Sequence, residues 1–302
     1  MLKFCNLLFM GTYKAAFFWF FFSLVLGISF PKTGVCASPE APTNSLLWKV
    51  SGKGIKTSYL YGTFHLVPKN QFVLPSKVKQ KLLKSQTVVF EVDLDSPKLT
   101  RLLSKTMRMN QPLESLMTAQ DYNLLTNFVQ DSLERNMQQF RYIKPGFLGQ
   151  LLLYPKLLGY SPESYDLALL DMAKKWHKSI YVLETPEEQV ALFDQSTLEA
   201  QTSQLLNNVK QFDKQRKLMK NMLTLYQQED LSGLYNLITS QEDSKSNDLL
   251  LDERNHKWLA PMVDMMKKNT SFVAVGAAHL AGEEGLIQLL RAQGYKVEPV
   301  LN

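Results

Sequence analysis

The sequence predicts an α/β fold, with a central mixed sheet built from the N- and C-terminal segments, flanked by helices, and a helical cap inserted in the middle. Three observations predict it. Strand-like apolar runs cluster at the two ends of the chain, helical spacing of Leu and Met dominates between them, and the chain closes on a strand, helix, strand order.

Taken in order, Leu46 to Val50 and Thr57 to Tyr61 flank Ser51-Gly-Lys-Gly54 and read as a β-hairpin. The second strand runs into Gly62-Thr-Phe-His65. After Pro75 and Ser76, residues 77–84 have helical spacing, with Val78, Leu82 and Leu83 on one side and lysines on the solvated side. Gln86 to Glu91 is a buried strand ending in a carboxylate. From Pro97 to about Ser161 the pattern is helical, broken near Pro112 and Lys144-Pro-Gly146, and Met107, Met109, Met117 and Met137 within it read as core packing. A helix from Tyr165 to Trp176, a strand near 179–184 and a helix opened by Pro186 follow. More helices cover 195–239 and 249–267, so the helical insertion spans about 97–268. The end reads as strand Ser271 to Val275, then Gly276-Ala-Ala-His279, a helix from Glu283 to Gln293 whose first turn carries Glu283 and Glu284, and a strand from Tyr295 to Val300. That order indicates a right-handed β-α-β unit.

The 302 residues carry a formal charge of +6, which raises the question of a nucleic-acid partner. Part of that charge lies in residues 1–37, which hold Lys3, Lys14 and Lys32 and no acid. Between them, Ala15 to Phe30 is apolar and shorter than the ~20 residues that span a bilayer, as in a secretory signal core. Val35-Cys36-Ala37 suits signal peptidase, so residues 1–37 are expected to be a signal peptide, 38–45 a linker and 46–302 the folded domain. The expected location is periplasmic or secreted, with only transient membrane contact; an uncleaved anchor is the alternative. Without the three leader lysines, the 34 cations fall to 31 against 28 acids, and the case for nucleic acid lapses. Both cysteines, Cys5 and Cys36, precede the cut, so the exported form has no thiol nucleophile and no disulfide. No His-Glu-x-x-His helix, Gly-x-Ser-x-Gly elbow or Walker loop is present.

Two of the four histidines occur in one local pattern: apolar strand, Gly, two residues, His, Leu. These are Tyr61-Gly62-Thr63-Phe64-His65-Leu66 and Val275-Gly276-Ala277-Ala278-His279-Leu280. Each strand is expected to turn sharply at its glycine, Gly62 or Gly276, and to project its histidine from the carboxyl edge of the sheet, where ligands bind in α/β folds. Glu91 ends a third strand, so two imidazoles and a carboxylate can meet at one rim. A His65, Glu91, His279 set suits a divalent cation such as Zn, Mn, Co or Fe and leaves a position for water. Asp93 is a candidate for orienting a ligand imidazole, although strand alternation would also put it on the face of Glu91 for purely structural reasons. His177 and His256 lack these features and read as surface residues.

Leu60-Tyr-Gly-Thr-Phe-His-Leu66, Val89-Phe-Glu-Val-Asp93 and Ala274-Val-Gly-Ala-Ala-His-Leu-Ala-Gly-Glu-Glu-Gly285 resemble the TraB/GumN family, related to the Tiki metalloproteases. Leu183-Glu-Thr-Pro-Glu-Glu-Gln189 and Leu290-Arg-Ala-Gln-Gly-Tyr-Lys-Val297 extend the resemblance over nearly all of 46–300. It implies an α/β fold with paired Gly-x-x-His motifs and, in the Tiki branch, divalent-metal-dependent peptide cleavage. It also implies a role for Arg254, matching the family's arginine near a helix start, and for Asp166, matching an aspartate that opens a helix. Ser164-Tyr165 stands before Asp166 where a glycine-containing stretch is expected.

The resulting expectation is a metal-dependent hydrolase acting on a peptide or small signal. His65 and His279 bind Mn, Co or Zn, Glu91 completes the coordination or acts as general base, and Arg254 stabilises the oxyanion. The alternative is a non-catalytic protein that captures a peptide or signal molecule in the same cleft. Ester cleavage is a third reading, because the wider fold resembles erythromycin esterases.

Overall fold

The computed structural model describes residues 44–241 and 244–301, so the leader and most of the expected linker lie outside the described residues. One six-stranded mixed sheet organises the domain: β1 (Leu47–Ser51), β2 (Ser58–Thr63), β3 (Thr87–Phe90), β4 (Ser179–Val182), β5 (Ser271–Gly276) and β6 (Lys296–Pro299). Their spatial order is β4-β3-β5-β2-β1-β6. β4, β3, β5 and β2 are mutually parallel, β1 is antiparallel to β2, and β6 is antiparallel to β1.

The N-terminal strands therefore interleave with β5 from the far end of the chain. β3 and β5 are buried along their whole length, and Val88, Val89, Phe272, Val273, Ala274 and Val275 are all fully covered. Sheets covered by helices on both faces need such continuous apolar runs, in place of alternation. β4 occupies one edge and leaves Ile180, Tyr181 and Val182 exposed.

The helices of six or more residues are α1 (Ser76–Lys84), α2 (Pro97–Thr106), α3 (Ala119–Leu133), α4 (Pro145–Leu158), α5 (Tyr165–Lys175), α6 (Pro186–Ala191), α7 (Leu198–Lys210), α8 (Phe212–Gln227), α9 (Leu231–Thr239), α10 (Glu253–Lys268) and α11 (Leu286–Ala292). Their starts follow from local chemistry. Ser96, Thr118, Ser164, Thr185, Thr197 and Asp230 each accept from a first-turn N–H. Thr185 and Glu188 form a reciprocal capping box at α6, and proline opens α2, α4 and α6, where no intrahelical N–H is needed. A π-helical turn, Asp248–Asp252, leads into α10. Among the described residues, no helix is long and apolar enough to cross a membrane.

Two expectations about the C-terminal end change. β5 and β6 point the same way with α11 between them, but β2 and β1 lie between them in the sheet, so the crossover spans two strands. α11 begins at Leu286, because Gly285 takes the capping position. Glu283 and Glu284 consequently sit in the turn before the helix, and Glu284 pairs with the exposed His256 at 2.6 Å.

Candidate active site

Four parallel strands end at the same edge of the sheet, and each delivers a chemically capable side chain there. His65 follows β2, Glu91 directly follows β3, Glu184 follows β4, and His279 closes the 3-10 turn Ala277–His279 after β5. The meeting point is Gly276. A Cβ built there would lie 3.2 Å from His65 Nε2, 3.5 Å from Glu91 Oε1 and 3.6 Å from His279 Cδ2. Residues more than two hundred positions apart thus face one small space, kept open by the missing side chain.

The two motif glycines do not act as sharp turns. Gly62 lies inside β2, and Gly276 has φ −52°, an ordinary value for any residue; neither has positive φ. Close approach is the reason for both. At Gly62 a Cβ would stand 2.9 Å from the Ala277 Cα and 3.1 Å from Leu280 Cδ1, so this glycine lets the turn carrying His279 pack on β2.

Each imidazole is tied back through Nδ1. His65 Nδ1 lies 3.0 Å from Asp166 Oδ2, and Asp166 Oδ1 accepts from Thr63 Oγ1 at 2.8 Å. His279 Nδ1 lies 2.8 Å from Asn255 Oδ1, whose Nδ2 donates to the Glu284 carbonyl. Both partners are oxygen acceptors, so Nδ1 carries a proton in each; Nε2 of His65 faces the space at Gly276, and Nε2 of His279 faces Arg254. The ring of His279 also packs on Trp258, centroid to centroid 4.4 Å.

Arg254, the second residue of α10, is half-buried in the middle of this group. Its Nη2 donates to Glu91 Oε2 at 2.6 Å and to Glu184 Oε2 at 3.2 Å, and its Nε donates to Glu184 Oε1 at 2.7 Å. Nη1 donates to the Leu250 carbonyl and to His279 Nε2, at 3.0 and 3.1 Å. These contacts use all five N–H bonds of the guanidinium, so the expected oxyanion role requires one of them to be released. Its Cζ stands 4.6 Å from the Trp258 ring centre. Glu184 is held by two further donors, Trp258 Nε1 at 2.9 Å and Gln189 Nε2 at 2.5 Å.

The charges follow from these contacts. Burial by itself would raise the Glu91 carboxyl, but Arg254, the two histidines and the Gly276 N–H outweigh it and bring it down to about 2. Burial, helped by Arg254, pushes His279 down to about 3, so it is neutral, and its Nε2 lone pair accepts from Arg254. Burial opposes charge on His65 as well, yet the Asp166 carboxylate and then Glu91 hold it above the ordinary imidazole range. A carboxyl at about 2 is a weak proton acceptor at neutral pH.

Of the residues read from sequence, His65, Glu91, His279, Arg254, Asp166, Gly62 and Gly276 converge here. Asp93 does not. β3 ends at Phe90, so strand alternation no longer applies, and Asp93 is exposed with Oδ1 accepting from the Asp95 N–H. The tie expected of it on an imidazole belongs to Asp166. His177 and His256 are exposed, as expected. Glu184, Asn255, Thr63 and Trp258 escaped the sequence reading. One signal existed for Glu184, since Val182-Leu-Glu184 ends its strand in a carboxylate as Val89-Phe-Glu91 does. Among the described residues, no three His, Cys, Asp or Glu side chains stand as a ready metal-binding group: His279 turns Cδ2 to the common space and Nε2 to Arg254.

Fold and site together define a mixed α/β protein whose polar machinery is gathered at the carboxyl edge of its parallel strands. The chain belongs to the TraB/PrgY/gumN family, whose model matches residues 46–299. It is similar to "Metalloprotease TIKI1" of Danio rerio, 23% identical over 86% of this chain and 64% of that protein. It is also similar to "Uncharacterized protein YbaP" of Shigella flexneri, 25% identical over 79% of this chain and 89% of the relative. "Metalloprotease TIKI2" of Xenopus tropicalis is 23% identical over 88% of this chain. The chain spans 64% and 62% of the length of the two TIKI proteins. No solved structure matches it.

Proposed function

We propose that this protein is a divalent-metal-dependent hydrolase of peptide bonds, with His65, Glu91 and His279 as the residues that hold the cation. One observation carries the reading: two imidazoles tied back through Nδ1 and a carboxylate held anionic surround the space left by Gly276. Back-tied imidazoles are the usual arrangement of metal ligands, and this donor set suits Mn, Co or Zn. Similarity to two proteins named metalloproteases agrees with it.

When bound, such a cation lowers the pKa of water toward neutrality and polarises a carbonyl. The chain's own part is to orient and to neutralise. Asp166 and Asn255 set the imidazole tautomers, Glu91 supplies the negative charge, and Thr63 fixes Asp166 from the strand side. Export, with residues 1–37 removed, belongs to the same proposal and is tested by the N-terminal sequence of the mature protein.

The deciding experiment is metal analysis and hydrolysis of a peptide library by the purified protein, beside His65→Ala and His279→Ala. Wild type is expected to hold Mn, Co or Zn and to cleave, with both properties lost in the variants. Identical trace metal in all three proteins overturns the reading, and peptide binding without cleavage in the metal-loaded protein favours the non-catalytic alternative.

A further inference from the structure

The Arg254 guanidinium stands where a cation serving Glu91 and His279 would act. An imidazole nitrogen has one lone pair, and the Nε2 pair of His279 already receives Arg254 Nη1–H at 3.1 Å. Glu91 Oε2 receives Nη2–H at 2.6 Å, while Oε1 receives the Gly276 N–H at 2.7 Å. A metal ion bonded to His279 Nε2 must therefore evict Arg254 from that nitrogen, and two positive charges at this separation repel in a buried setting.

Arg254 has somewhere to go. Its other edge is bound to Glu184 through Nε and Nη2, and Glu184 is anchored independently by Trp258 and Gln189. Breaking the two contacts to Glu91 and His279 leaves the guanidinium paired with a buried carboxylate and lying against the Trp258 ring. The sequence joins these parts directly: Arg254 and Trp258 are one turn apart on α10, and Glu184 comes off β4 beside Glu91.

We propose that Arg254 is the resident cation of this site, that its guanidinium and a divalent metal exclude one another there, and that Glu184 is the positioning residue that keeps Arg254 paired when metal displaces it. The proposal rests on the metal reading above. It makes the two residues act in opposite directions. Removing Arg254 removes a competitor, whereas neutralising Glu184 leaves the guanidinium more dependent on Glu91 and harder to displace.

The test is calorimetric titration of the metal-free protein with Mn²⁺ or Zn²⁺ alone, comparing wild type with Arg254→Met, Arg254→Lys and Glu184→Gln, and checking each fold by circular dichroism. Arg254→Met is expected to bind roughly tenfold tighter or more. Arg254→Lys should fall between it and wild type, because an ammonium cannot serve Glu91, Glu184 and His279 together. Glu184→Gln is expected to bind roughly tenfold more weakly. If Arg254→Met fails to fold, the opposite shifts of the Lys and Gln variants still decide. Equal affinity across the folded proteins, even with lowered melting temperatures, overturns the competition while leaving the metal reading intact. No binding by any of the proteins overturns both.

Discussion

The two Gly-x-x-His glycines look interchangeable in sequence, yet replacing each with alanine is expected to damage different properties. At Gly276 the backbone stands at φ −52° and ψ 136°, which alanine adopts freely, and restricting the unfolded chain favours folding by about 0.4–1 kcal/mol. The new methyl would sit 3.2 Å from His65 Nε2, so that side chain must give by a few tenths of an ångström. These effects largely offset, and Gly276→Ala should melt within about 1 kcal/mol of wild type. Its methyl fills the space between His65, Glu91 and His279, and binding of Mn²⁺ or Zn²⁺ should disappear. At Gly62 the obstruction is backbone, the Ala277 Cα at 2.9 Å, with the Ala277 Cβ at 3.0 Å. Overpacking of this kind costs about 1–3 kcal/mol, and for a domain of this size each kcal/mol lowers the melting temperature by roughly 2–4 °C. Thermal melts and metal titrations of both variants read the two effects separately. Unchanged metal binding by Gly276→Ala, or an unchanged melt for Gly62→Ala, would refute the assignment of open space to one glycine and close packing to the other.

Three further outcomes are expected. Metal added at about 100 times its Kd should stabilise the protein by about 2.7 kcal/mol, and a chelator should reverse the gain in a thermal melt. Met137 is 3% exposed among the helices of the middle segment, and Met137→Ala should cost about 2–5 kcal/mol in a denaturant titration. Thr185→Ala removes the α6 cap and should cost about 0.5–2 kcal/mol at neutral pH. Its partner Glu188, half exposed, is brought down to about 2 by Lys257 and then by the Thr185 N–H. A depressed carboxyl stabilises the fold above its unfolded value near 4.5 and loses that contribution as pH falls toward 2, so the loss in Glu188→Gln should shrink on acidification through that window, as read by urea titrations.

The centre of the sheet was legible because β3 and β5 are short and almost wholly apolar. Thr87-Val-Val-Phe90 and Phe272-Val-Ala-Val275 have no other stable place than between two helical layers. Their neighbours were not legible, since pairing across two hundred residues leaves no local trace; hence β5 lies beside β2 and not beside β6. In the site, the repeated Gly-x-x-His pattern and the strand-terminal Glu91 could be read from residues alone. Arg254 and Asp166 came only through family resemblance. Asn255 had no signal at all, because its role depends on the angle at which α10 passes His279. Asp93 was misplaced by assuming that β3 continued beyond Phe90.

The paired motifs also differ in depth. His65 keeps 19% of its side chain open to solvent and His279 only 5%, closed off by Trp258 and Asn255. Solvent therefore reaches the imidazole that Asp166 steadies more readily than the one that Arg254 guards.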